Sequence, residues 1–249
     1  MSRQAAQGTI DAGEVERFDA LAERWWDPEG PMKPLHGMNP VRLRFIREQA
    51  LAHFGRDGRC VSPFEGLDLV DVGCGGGLLS EPMARLGARV TGLDPATRNI
   101  GVARAHAARM ELAIDYRDQT IESVVEAGER FDMVMALEVI EHVADAPAFL
   151  GALSKAAKPG GLVVMSTLNR SLRAFGAAII GAEYVLRWLP RGTHDWNKFV
   201  RPEELAQGLE RAGLPVLEMR GMAPDLMNGG WRLSGDMAVN YIVAAARPR

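Results

Sequence analysis

Apolar runs rich in β-branched residues alternate along this chain with longer runs of helical periodicity. The pattern predicts strands at 67–73, 88–94, 112–117, 131–137, 161–167, 215–221 and 240–246. It predicts helices at 14–26, 40–54, 78–86, 97–110, 146–157 and 202–212. Strands separated by helices imply an α/β fold, with about seven mostly parallel strands and helices on both faces. Lys158-Pro-Gly-Gly161 reads as a helix stop and turn leading into the fifth strand. Between the last two strands only a short irregular segment appears, around Met227-Asn-Gly-Gly-Trp231. With no crossover helix there, those strands should form a hairpin and the last should run antiparallel. Residues 1–13 are expected to be disordered and 14–249 to form one domain, with 14–55 a helical cap and 170–200 an insertion.

Leu69-Val-Asp-Val-Gly-Cys-Gly-Gly-Gly77 ends a strand in glycines, and Gly92-Leu-Asp94 ends the next in an acid. A glycine turn lets a ligand lie against bare backbone, and a carboxylate about 20 residues on can bind a ribose hydroxyl pair. The spacing is Gly73-x-Gly75-x-Gly77, with Leu78 where the dinucleotide fingerprint needs its last glycine. It resembles the first motif of the S-adenosylmethionine-dependent methyltransferases of Rossmann-like fold. Glycine turns also serve plain helix–strand packing, but Asp94 at this distance favours a cofactor site.

Composition narrows the class. The 249 residues are 47% hydrophobic and carry a net charge of -3, so nothing electrostatic suggests a nucleic acid partner. Two cysteines, Cys60 and Cys74, suit a reducing compartment, and Cys74 reads as a packing residue of the turn. Met1 to Asp11 is polar, without the apolar core of a secretory signal.

The fourth strand runs into Glu138-Val-Ile-Glu141-His142. Ligands of open parallel sheets sit beyond the carboxyl ends of the strands. If this segment is helical, Glu138, Glu141 and His142 share one face. They could then hold Mg²⁺ or Mn²⁺, His142 could act as a general base without metal, or the acids could simply begin a solvated helix.

Arg24-Trp-Trp-Asp27, Lys33-Pro-Leu-His36, Asn39-Pro-Val-Arg42, Leu137-Glu-x-x-Glu-His142, Ser166-Thr-Leu-Asn-Arg170, Gly181-Ala-Glu-Tyr184, Gly192-Thr-His-Asp195 and Val239-Asn-Tyr241 follow one another around the glycine turn. In this order they resemble the ubiquinone biosynthesis O-methyltransferase family, over nearly the whole chain from about residue 14. The resemblance implies S-adenosylmethionine as methyl donor and a polyprenylated phenol, catechol or quinol as acceptor. It implies donor contacts at Arg42, Gly73, Asp94 and Leu137, to which the glycine turn adds Gly75, and a divalent cation at Glu138, Glu141 and His142. His142 is the catalytic candidate, either directly or through that cation. Other enzymes of the same pathway are implied as partners.

Between strands five and six, Leu172, Phe175, Ile179, Ala182, Leu186 and Leu189 step by three and four, with Arg170, Arg173, Arg187 and Arg191 near the ends. Glu183 and the interior glycines argue against a bilayer-spanning helix. The segment 170–191 suits a helix lying on an anionic membrane, or a buried cap or dimer contact. The expected location is cytoplasmic, peripheral to the inner face of the membrane. Trp25 and Trp26 read as packing of the N-terminal helix, or as a lid. Pro28 to Pro34 reads as a stiff linker from that helix to the helix of Arg42. The family often has a tyrosine where this chain has Pro224, which bears on acceptor preference. Competing readings are a C- or N-methyltransferase of the same fold, an NAD-dependent dehydrogenase, and a non-catalytic scaffold of a membrane-associated complex.

Overall fold

A computed structural model describes residues 9, 11, 13–16, 22–174, 196–225, 227 and 229–249. Its centre is one eight-stranded sheet: β1 (Asp68–Val72), β2 (Arg89–Leu93), β3 (Asp115–Arg117), β4 (Phe131–Leu137), β5 (Ala157–Leu168), β6 (Val216–Pro224), β7 (Trp231–Ser234) and β8 (Asn240–Ala246), in the order β3-β2-β1-β4-β5-β8-β6-β7. The first five strands pair in parallel, while β8 runs antiparallel to both β5 and β6. The expected antiparallel last strand is therefore present, and β8 inserts between β5 and β6.

The flanking helices are α1 (Lys33–Phe54), α2 (Ser80–Arg85), α3 (Thr97–Arg109), α4 (Ile121–Glu126), α5 (Ala146–Ala156) and α6 (Pro202–Arg211). Side chains alternate across the strands, so each central strand supplies two cores. Met133, Met135 and Leu137 of β4 join Leu162 and Val164 of β5 and Ile242 and Ala244 of β8 under Phe45 and Ile46 of α1. Val134 and Ala136 join Val163, Met165, Tyr241, Val243 and Ala245 beneath Phe149 and Leu153 of α5 and Leu205 of α6. Burial on both faces explains why these strands read as continuous apolar runs.

Several boundaries differ from the sequence reading. The helix of Arg42 starts at Lys33, with Pro34 in its first turn, and continues through Pro40. The linker is thus shorter than Pro28 to Pro34. Pro34 suits that turn because the first amides of a helix lack partners anyway, and the interior Pro40 is carried by the burial of Met38, Val41 and Arg42 around it. In place of a helix over 14–26, residues 13–16 are helical and Ala22–Arg24 forms a separate 3-10 turn, leaving Trp25 and Trp26 in a turn. Residues 17–21 lie outside the described set. Helix α4 was not expected. Thr120 caps it, its hydroxyl accepting from the Ser123 amide at 3.3 Å. Strand β7 was not expected either, because its pairing with β6 is set by register rather than pattern. The Lys158–Gly161 turn is a bulge of β5: Ala157 pairs with Phe131, and the ladder resumes only at Leu162 opposite Met133. Residues 175–195, most of the expected membrane helix, lie outside the described set. Among the described residues no helix is long and apolar enough to cross a membrane.

Candidate active site

Strand order reverses between β1 and β4, where the crossovers leave to opposite sides. A crevice opens there, beyond the carboxyl ends of the strands. A cavity of about 350 Å³ occupies it, and Arg42, Gly73, Asp94, Leu137, Glu138, Glu141 and His142 all line it. Gly75 belongs to the same turn but is not in the wall. Seven of the eight residues singled out from sequence thus converge on one cavity.

The turn after β1 is built for glycine. Gly73 has φ +69 and a Cβ there would lie 2.6 Å from Cγ2 of Val139. Gly75 has φ +53 and its Cβ would lie 2.3 Å from the Trp25 ring. L-residues with side chains rarely adopt such backbones. The carboxylate of Asp94 fastens the turn to the next strand, accepting from the amides of Gly75 at 2.9 Å and Ala96 at 2.8 Å, and from Asn99 Nδ2 at 3.3 Å. Asn99 in turn accepts from the Trp25 indole at 2.8 Å. Trp26 donates to the Gly76 carbonyl at 2.9 Å and stacks on His106, ring centroids 3.4 Å apart. The two tryptophans therefore clasp the glycine turn, as the packing reading has it. Burial pushes the carboxyl of Asp71, at the end of β1, up to about 7, against the hydrogen bond it accepts from Ser80 at 2.6 Å.

At the other end, Arg42 is 2% exposed. Its Nη2 donates to Glu138 at 2.8 Å, while its Nε has no hydrogen-bond partner. A buried guanidinium with an unmatched donor is the complement of a carboxylate. Acceptors at Asp94 and a donor at Arg42, across one cavity, fit a ligand with ribose hydroxyls at one end and a carboxylate at the other. S-adenosylmethionine is such a ligand.

Glu138, Glu141 and His142 do not share a helical face. Glu138 has φ +56 and stands outside the 3-10 turn Ile140–His142, which breaks the helical register, although its carboxylate stays within hydrogen-bond reach of Glu141. Glu138 also accepts from Ser166 Oγ at 2.9 Å, and Glu141 accepts from Thr167 Oγ1 at 2.8 Å. Burial, and then the charge of Glu138, raise the Glu141 carboxyl well above its ordinary range. His142 Nδ1 lies 3.0 Å from Glu14 Oε2. Among the described residues no three such side chains form a group that could hold a metal ion. As arranged, these residues do not fit a cation, because Glu138 is committed to Arg42 and Glu141 to Thr167. In the tautomer with the proton on Nδ1, His142 would donate to Glu14 and carry its lone pair on Nε2, the arrangement of a general base with its orienting carboxylate.

Sequence reasoning missed Glu14, Asn99, Ser166 and Thr167 as partners of the site. Only the Ser166–Thr167 pair stood in a motif. Pro224 is not in the cavity wall, but its ladder partner Trp231 is.

A family model for a methyltransferase domain matches residues 43–219. The ubiquinone biosynthesis O-methyltransferase of Methylobacterium nodulans is 58% identical over 240 residues, covering 96% of each chain. That of Chelativorans is 54% identical over 245 residues, covering 98% of this chain and 97% of the relative.

The chain belongs to the ubiquinone biosynthesis O-methyltransferase family.

Solved structures agree in fold. Magnesium protoporphyrin IX methyltransferase from Synechocystis with bound S-adenosylmethionine superposes with a TM-score of 0.61 at 20% identity, covering 98% of this chain and 99% of that one. For this member of the ubiquinone biosynthesis O-methyltransferase family, the dinucleotide dehydrogenase reading is set aside by near-full-length identity to methyltransferases. The hairpin-ended sheet points the same way.

Proposed function

We infer that this protein transfers the methyl group of S-adenosylmethionine to a phenolic hydroxyl of a polyprenylated phenol or quinol in ubiquinone biosynthesis. The observation that carries the chemistry is one cavity holding Asp94, Arg42 and the His142–Glu14 pair. The donor brings a methyl carbon on a sulfonium, and its sulfur keeps the bonding pair as carbon passes to oxygen. The protein aligns oxygen, carbon and sulfur for in-line displacement. Asp94 and the glycine turn hold the nucleoside, Arg42 the carboxylate, and Leu137 covers the end of β4 between them. A phenol is mostly protonated at neutral pH, with a pKa of about 10. His142 Nε2 takes that proton as the oxygen attacks, and Glu14 stabilises the imidazolium formed.

Methyl transfer from labelled S-adenosylmethionine to a short-chain demethylubiquinol tests this. Labelled methyl ether is the expected product, and tight donor binding without product would overturn the acceptor assignment. An EDTA arm decides the cation expectation. Product that survives EDTA fits the arrangement of Glu138, Glu141 and His142 described above. Product that vanishes and returns with Mg²⁺ would mean that Glu138 leaves Arg42 to take a cation.

Peripheral attachment through 170–191 is the finer part of the reading. Leu172, where the chain enters that segment, is 84% exposed, an apolar side chain offered outward beside Arg173. An acceptor with an isoprenoid tail resides in the bilayer, so docking there solves access. Deleting 172–189 should abolish sedimentation with anionic liposomes and spare donor binding, and unchanged sedimentation would sink the idea.

A further inference from the structure

Asn240 opens β8, opposite Leu168 at the carboxyl end of β5. It is 3% exposed and lies in the wall of the cavity already described. Its Nδ2 approaches Met38 Sδ at 3.2 Å, and its Oδ1 has no hydrogen-bond partner. A thioether is a weak acceptor, so neither end of this amide has a strong partner. Exchanging the oxygen and nitrogen positions leaves the same deficit. Asparagine is depleted in strands, and an apolar residue would pack against Met38 without stranding a polar group. Nor does the strand need the side chain: the Asn169 amide reaches the Val239 carbonyl at 2.8 Å and Tyr241 Oη reaches the Val200 carbonyl at 3.0 Å.

The sheet order says which ligand reaches this amide. Asp94 stands at the end of β2, the glycine turn at β1, and Glu138 with Arg42 at β4. A donor stretched from Asp94 to Arg42 spans these three strands. Asn240 lies further on, where β5 meets β8, so the part of the cavity it borders is left to the acceptor. We propose that Asn240 is a specificity-determining residue for the acceptor, its amide oxygen accepting a hydrogen bond from the ring hydroxyl next to the one methylated. A site built to bond a hydroxyl discriminates against an analogue lacking it, because the protein group is then left unmatched. This rests on the function proposed above, and it adds which residue of the chain reads the oxygen beside the one methylated.

The test compares wild type, Asn240→Ala and Asn240→Leu on two short-chain acceptors. One carries both adjacent hydroxyls, and the other has hydrogen in place of the neighbouring hydroxyl. The affinity for S-adenosylhomocysteine is measured in parallel. Both variants should lose about tenfold in kcat/KM on the dihydroxy acceptor. On the monohydroxy acceptor they should stay within about twofold of wild type, and donor-product affinity should not change. Equal losses on both acceptors, or a matching loss of donor-product affinity, would overturn the proposal. Asn240→Leu keeps the number and branching of the side-chain heavy atoms and carries the test if the alanine variant unfolds. Wild type inactive on both acceptors would instead refute the underlying function.

Discussion

Asp71 offers a direct measurement of how dry the floor of the site is. Burial is the main reason its carboxyl is pushed from 3.8 to about 7, and the Asp94 charge adds to it while the Ser80 bond opposes. The folded protein holds this proton more tightly than the unfolded chain does. Asp71's contribution to stability is therefore fully present below the ordinary carboxylate range and is lost as the pH rises through about 7. Asp71→Asn keeps an oxygen that can accept from Ser80 and has no proton to lose. At 1.36 kcal/mol per unit, and with the titration half complete at the upper end, the variant should gain about 2 kcal/mol on wild type between pH 5 and pH 7. Urea denaturation at both values measures it, and titrating groups that do not feel the Asp71 charge cancel in the difference. If the two proteins differ by the same amount at pH 5 and pH 7, Asp71 does not titrate in this window and the argument from burial fails.

Glu138 and a donor carboxylate compete for one guanidinium. Glu138→Gln should lower the stability of the free protein, by up to about 3 kcal/mol, and raise its affinity for S-adenosylhomocysteine. Weaker binding in titration calorimetry would show that Glu138 aims Arg42 at the donor instead. Gly75→Ala puts a methyl group 2.3 Å from the Trp25 ring at φ +53; it should cost about 1–3 kcal/mol of stability and loosen the cover of the turn, with a melting temperature equal to wild type counting against the clasp. Trp25→Phe retains the packing and loses the bond to Asn99, for about 1 kcal/mol in chemical denaturation. The fluorescence of wild type should change when S-adenosylhomocysteine enters beneath the clasp, and an unchanged spectrum would place the tryptophans away from the donor.

What could be read from the chain were the features whose signal is local. The run 69–77 with Asp94 marks a turn whose backbone excludes side chains, and that exclusion is written in the residues themselves. The central strands declare themselves because both faces are buried, as the two cores sharing β4 show. Features that depend on partners distant in sequence did not show. Glu14 meets His142 across 128 positions and Trp25 meets Asn99 across 74, so neither pairing leaves a periodicity to find. Glu138 is the most instructive failure. Its spacing to Glu141 and His142 is helical, yet at φ +56 it takes the left-handed turn that ends β4. A glutamate is held in that conformation only where its surroundings over-determine it. Here the backbone amide of Glu138 is tied to the Ser166 carbonyl at 2.9 Å, and its carboxylate to Ser166 Oγ and Arg42. The same contacts that hold the residue there take it out of the helical register of Glu141 and His142, so the arrangement that defeats the helical reading is the one that ties Glu138 to Arg42 in the cavity wall.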